Sequence, residues 1–127
     1  MQGQQLYEYA VIRLVPRVER EEFINIGVIL FSKTARYIDT KFTEDFSRCK
    51  IFDAGVDWDE IQEYLCAFQA IAKGNHPRSP IASLIPAERF RWLTATRSTS
   101  IQCSKVHPGF CSDLPAELEK LYEVLVN

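Results

Sequence analysis

Three arginines and five hydroxyl side chains crowd into thirteen residues, Glu88-Arg89-Phe90-Arg91-Trp92-Leu93-Thr94-Ala95-Thr96-Arg97-Ser98-Thr99-Ser100. Lys105 and His107 follow closely. From Ala87 to Pro108 there are four basic groups against one acidic, a local excess of +3 in a chain whose net charge is −2. A guanidinium is a planar fork of donors that fits phosphate or carboxylate. Serine and threonine hydroxyls, with loop amides, can complete a cradle around an anion. Phe90 and Trp92 are ring surfaces on which a base could stack. The candidate anion site is therefore Arg89, Arg91, Arg97, Ser98, Thr99, Lys105 and His107. A plainer reading competes with it. Ser/Thr loops satisfy their own backbones, and arginine stems beside aromatics pack for stability. Under that reading Phe90 and Trp92 are core anchors.

Other chemistry is thinner. His76 and His107 each precede a proline and share no metal-binding spacing. His107, beside a basic stretch, has the residue type of a general acid or base. Glu19, Glu21 and Glu22 fall in a connection, whereas Asp57, Asp59 and Glu60 suit the start of a helix. The cysteines, Cys49, Cys66, Cys103 and Cys111, form no Cys-x-x-Cys pair, so the expectation is free thiols, no metal and no cofactor. There is no glycine-rich phosphate loop and no Gly-x-Ser-x-Gly elbow. No catalytic residue is assigned, and the reading leans away from an enzyme.

These residues have to be held by secondary structure. Residues 7–15 alternate aromatic and β-branched side chains and predict a strand, ended by Pro16. Residues 23–32 are apolar on both faces, the mark of a central strand. Ile24, Ile26, Val28 and Leu30 would share one face, Phe23, Ile29 and Phe31 the other. Asn25 and Gly27 interrupt this strand and are singled out as a special position, since a glycine there implies a bulge or a close backbone approach. Residues 36–42 predict a third strand on a short link, so the three form a meander. The clearest helix spans 58–73, with Asp57 as its cap and Gly74 as its stop. Residues 87–93 predict a short helical or irregular stretch, and 97–106 a weak fourth strand. Pro108 and Gly109 then predict a turn, and a last helix runs from its Asp113 cap to Val126 on a Leu114/Leu118/Leu121/Leu125 stripe.

The fold class expected is α+β: an antiparallel sheet of three to four strands in a meander, with the two amphipathic helices packed on one face. At 127 residues, 46% hydrophobic and 25% charged, one globular domain over 1–127 is expected. The second apolar face of the central strand would be covered by the 84–95 segment or by another subunit, which leaves room for a homo-oligomer. The near-neutral charge disfavours a protein that mainly grips nucleic acid. Neither a signal peptide nor a membrane span is read from the sequence, so a cytoplasmic protein is expected.

Two runs carry a family resemblance. Tyr7-Glu8-Tyr9-Ala10-Val11-Ile12-Arg13 with Val15-Pro16-Arg17-Val18-Glu19-Arg20 and Phe23-Ile24-Asn25-Ile26-Gly27-Val28-Ile29-Leu30 resembles the first signature of a bacterial family, domain of unknown function 3037. Glu88-Arg89-Phe90-Arg91-Trp92-Leu93-Thr94-Ala95 with Arg97-Ser98-Thr99 and Val106-His107-Pro108-Gly109 is similar to its second. The resemblance implies no reaction and no catalytic residues. It implies an association with kinases resembling the persistence-toxin serine kinases, and so a kinase-like protein partner. The favoured function is a non-enzymatic binding or accessory module acting through protein contacts. The alternative is an anion-handling protein that binds or acts on a phosphate-bearing ligand or nucleic acid through the Arg/Ser/Thr segment.

Overall fold

A computed structural model describes residues 3–16, 18–45, 47, 57–76, 78–95 and 100–126. Strand β1 spans Gln5–Leu14, β2 Ile24–Ser32 and β3 Tyr37–Phe42. Each pairs antiparallel with the next, as the short links between them require. Helix α1 spans Trp58–Lys73 and α2 Pro86–Thr94. Two short strands follow, β4 (Ile101–Cys103) and β5 (His107–Cys111), and both pair antiparallel with the free edge of β1. Helix α3, Leu114–Leu125, comes last. The class is α+β with one antiparallel sheet, ordered β3-β2-β1 and then β4 and β5 together.

The placement of the long helices differs from expectation. Helices α1 and α2 cover one face of the sheet, packing Ile61, Leu65, Phe68, Phe90 and Leu93 against Ala10, Ile12, Leu14, Ile29 and Phe31. Helix α3 covers the opposite face, where Leu114, Leu118 and Tyr122 meet Tyr7, Val28 and Leu30. Because β2 is apolar on both sides, a layer is needed on each. The 84–95 segment does reach the Ile29/Phe31 side, where Phe90 stacks on Phe31 with ring centroids 5.0 Å apart.

The sides themselves change at a bulge. Ile12 pairs with Gly27 but Arg13 pairs with Asn25, so Ile26 is an extra residue in β2. Both residues of the bulge face α1, and the alternation restarts beyond them. Ile24 and Ile26 therefore join Ile29 and Phe31 instead of Val28 and Leu30. Asn25 falls on the α3 side, where its Nδ2 donates to the Leu125 carbonyl at 3.0 Å and ties the end of that helix to the sheet. Gly27 serves a second purpose. A Cβ there would lie 2.5 Å from the ring of its cross-strand partner Phe42 and 2.8 Å from the Lys41 carbonyl oxygen. The bare glycine lets Phe42 lie over it and meet Phe68 edge-on, 6.0 Å between centroids.

The fourth strand read over 97–106 is replaced by two pieces, and Pro108-Gly109 lies inside β5, not in a turn. Two residues of β1, Ala10 and Val11, face three, Ser104 to Val106. Across this bulge Ser104 keeps the edge bonded. Its backbone N–H donates to the Val11 carbonyl and its Oγ accepts from the Val11 N–H, each at 2.8 Å. The Val15 N–H also bonds Ser100, so odd-numbered residues of β1 aim their backbone groups at this edge. His107, Gly109 and Cys111 answer them. The nitrogen of Pro108 faces outward, where its missing hydrogen costs no ladder bond. Gly109 lies beneath the ring of Tyr7, where an added Cβ would come within 2.5 Å.

Helix α1 matches its expected span. Asp57 Oδ1 accepts from the Glu60 N–H, and Gly74 closes the helix with φ 75°. Two core tests follow. Phe68→Ala should cost roughly 3–5 kcal/mol, and Gly27→Val roughly 1–3 kcal/mol despite valine's strand preference. Urea melts measure both. A loss under about 1 kcal/mol for Phe68→Ala would mean that the contact between α1 and the sheet is weaker than its burial implies.

Candidate functional site

Among the described residues of the expected anion site, the structure separates Arg89 from His107. Arg89 is engaged locally: its Nη1 donates to the Leu84 carbonyl at 2.6 Å. The guanidinium also lies against Gly74, so close that a Cβ on that glycine would sit 3.2 Å from its Cζ. Arg89 thus clasps the end of α1 to the turn before α2. Arg91 is exposed on the outer side of α2. Lys105 is exposed in the bulge between β4 and β5. His107 is exposed in β5, on the α3 side of the sheet, with its ring 5.3 Å from that of its cross-strand partner Tyr9. Arg89 and His107 therefore lie on opposite sides of the sheet. Arg97, Ser98 and Thr99 lie outside the described residues, as does Cys49. Of the two aromatics, Phe90 is core and Trp92 is partly exposed.

On the α3 side the polar groups are tied to the fold. The Tyr7 hydroxyl donates to Glu117 Oε2 at 2.6 Å. Burial, and then that carboxylate, holds the Tyr7 phenol neutral well above its ordinary range. Tyr37 is pushed up to about 12, chiefly by burial and next by Asp39. Burial likewise raises the Cys111 thiol, with Glu117 adding to it. Lys41 pairs with Glu119 and sits 4.9 Å from the centre of the Tyr122 ring. Among the described residues no group of three or more His, Cys, Asp or Glu is placed to hold a metal ion. Nor is any described helix long and apolar enough to cross a membrane.

The opposite side carries the feature that sequence reasoning missed. Leu6 and Phe110 are cross-strand partners on the face that α1 and α2 cover elsewhere, yet they are 48% and 65% exposed. Ala10, Ile12 and Leu14 on the same face of β1 are fully buried. The helices end short of the sheet's far end. Next to this pair in the sheet, Glu8 links Phe31 on one side to Pro108 on the other. Phe31 in turn lines a groove of about 460 Å³ with Lys33, Arg36, Ile85, Pro86 and Ala87. Ile85 is 62% exposed. Phe23, by contrast, is half exposed but roofed by the Arg13 guanidinium 4.0 Å from its ring centre. The pair was hidden because the first strand was begun at Tyr7 and Pro108-Gly109 was read as a turn. Recognising that an outward-facing proline is tolerated at an edge would have placed Phe110 beside Leu6.

A family model matches residues 9–126, nearly the whole chain. The chain belongs to the family described as protein of unknown function (DUF3037). No curated protein and no solved structure matches it. Of the surface just described, the groove residues and Phe110 fall within the DUF3037 match, and Leu6 lies before it.

The part-buried Tyr37 phenol of this DUF3037 chain generates a pH prediction. An unfolded tyrosine ionises near 10, whereas the folded Tyr37 holds its proton to about 12. The folded state binds the extra proton in that window. The contribution is therefore fully present below pH 10 and is lost as the pH rises toward 12. Tyr37→Phe, which keeps the ring and removes the titration, should flatten that decline in urea melts taken across the window. An unaltered slope would show that the phenol is solvated in solution.

Proposed function

We propose that this chain is a non-enzymatic binding module that acts through protein contacts. The observation that carries the reading is the Leu6–Phe110 pair, two large apolar side chains side by side on a sheet face and left in solvent. Isolated exposed apolar residues are ordinary, but adjoining ones beside an apolar groove are characteristic of interaction surfaces. The rigid sheet beneath them presents the pair without ordering cost, which favours association. The outward nitrogen of Pro108 lacks a hydrogen, so the edge of β5 offers a broken row of donors. A partner is therefore met by side chains on the face, not by strand addition along the edge.

The anion-handling alternative has less support. It needs several cations directed at one point, and Arg89 is already engaged with Leu84 and Gly74 while His107 lies across the sheet. Arg91 and Lys105 are left as exposed single charges, and such charges are usually solvated. The kinase-like protein implied by the family resemblance is the first partner to test, and a second copy of the chain is the next.

Calorimetric titration against that kinase-like protein, at two salt concentrations, checks the proposal. Phe110→Ser should keep the folding stability within about 0.5 kcal/mol of the parent, because the ring is exposed. It should weaken binding roughly tenfold or more, as expected for an aromatic contact central to an interface. Nucleotides and oligonucleotides titrated in parallel should give no saturable binding. The reading is abandoned if Phe110→Ser and Leu6→Ser both bind as the parent does. Salt-sensitive oligonucleotide binding removed by Arg91→Ala would favour the alternative.

A further inference from the structure

The groove beside the apolar pair has a chemistry of its own. Its walls are Phe31, Ile85, Pro86 and Ala87, and its charged lining residues are Lys33 and Arg36, both cations. Among the described residues neither cation has an ion-pair or side-chain hydrogen-bond partner. In a chain of net charge −2, two unpaired cations at the mouth of an apolar groove are not explained by solubility alone.

The backbone at Arg36 sharpens this point. Arg36 closes the turn between β2 and β3 with φ 53°, the left-handed region, and its N–H donates to the Lys33 carbonyl at 3.3 Å. Glycine or asparagine would meet that turn with less strain. Holding an arginine there costs stability and sets a cation at the lip of the groove. The groove's other wall is where α2 begins. Its cap residue, Ile85, gives no side-chain hydrogen bond, and its backbone carbonyl is taken by Glu88 and Arg89. The positive end of that helix adds to the field of the two cations.

We infer that this groove receives a partner segment in which a large apolar side chain adjoins a carboxylate. The apolar side chain enters between Phe31 and the Ile85–Pro86 wall, and the carboxylate meets Lys33 and Arg36. The inference rests on the protein-contact reading above and names the chemistry of the segment that is recognised. Glu8, the cross-strand partner of Phe31, is the acidic residue that the register brings beside the groove. Its charge opposes such a ligand, and removing it should favour binding.

Amide chemical shifts of the isotopically labelled full chain provide the test. Three ten-residue peptides on a Gly/Ser frame are the probes: one with Asp-Glu beside Leu-Phe, one with Lys-Lys replacing the acids, one with Ala-Ala replacing the apolar pair. The first should shift Phe31, Lys33, Arg36 and Ala87, and should weaken as salt rises. The other two should bind at least roughly tenfold more weakly. Lys33→Gln with Arg36→Gly should remove the preference for the acidic peptide, while Arg36→Gly alone melts at or above the parent temperature. Glu8→Gln should tighten binding. Equal binding of acidic and basic peptides overturns the inference. So does an unchanged preference in the double variant, or a dimer, seen by sedimentation, that occupies the groove. If charge preference is absent but Phe110→Ser still weakens the kinase-like partner, this inference fails and the protein-contact reading stands. If neither the groove changes nor Phe110→Ser affects any binding, both fail.

Discussion

A strand buried on both faces has no solvent to fall back on, so its hydrogen bonds must be completed along both edges and its side chains covered on both sides. β1 is that strand. β2 bonds one edge, and β4 with β5 bonds the other. Its Ala10, Ile12 and Leu14 side chains meet α1 and α2, and Tyr7 meets α3. The rest of the molecule answers these requirements. The Ser104 hydroxyl stands in for a backbone acceptor where the edge strand bulges, because leaving the Val11 amide unpaired would cost more than the irregularity.

Two glycines solve one packing problem on opposite faces. Gly27 lies under the ring of Phe42, and Gly109 lies under the ring of Tyr7. In each case the aromatic belongs to the cross-strand partner and leans over the missing side chain toward a helix. Phe42 reaches Phe68 in α1, and Tyr7 reaches Glu117 in α3. The arrangement ties each helix layer to the sheet through a directed contact, where packing area alone would leave its position less defined.

Much of this was legible in the chain, for identifiable reasons. Helix α1 combines an apolar stripe with Asp57 and Gly74 at its ends, so period and caps agree. The meander followed from short links that permit only antiparallel pairing. What escaped notice depended on context. A glycine can announce a bulge, but not which residue is extra, and Ile26 moved Ile24 and itself to the other face. Pro108-Gly109 has turn chemistry, yet an outer edge and an overlying tyrosine make it strand. The Arg/Ser/Thr segment showed its cations, but a charge count cannot tell that Arg89 is spent on a neighbouring carbonyl.

The outward-facing nitrogen of Pro108 has a consequence for how this chain behaves in crowded solution. Exposed apolar side chains next to an open sheet edge are ordinarily a hazard, since one chain's edge can template the next into an aggregate. Here β5 is short, bulged at one end and missing a donor at its second residue, Pro108. Polymerisation through backbone pairing is thereby blunted while the side chains of Leu6 and Phe110 stay available. The molecule can keep a sticky face because its edge is not sticky.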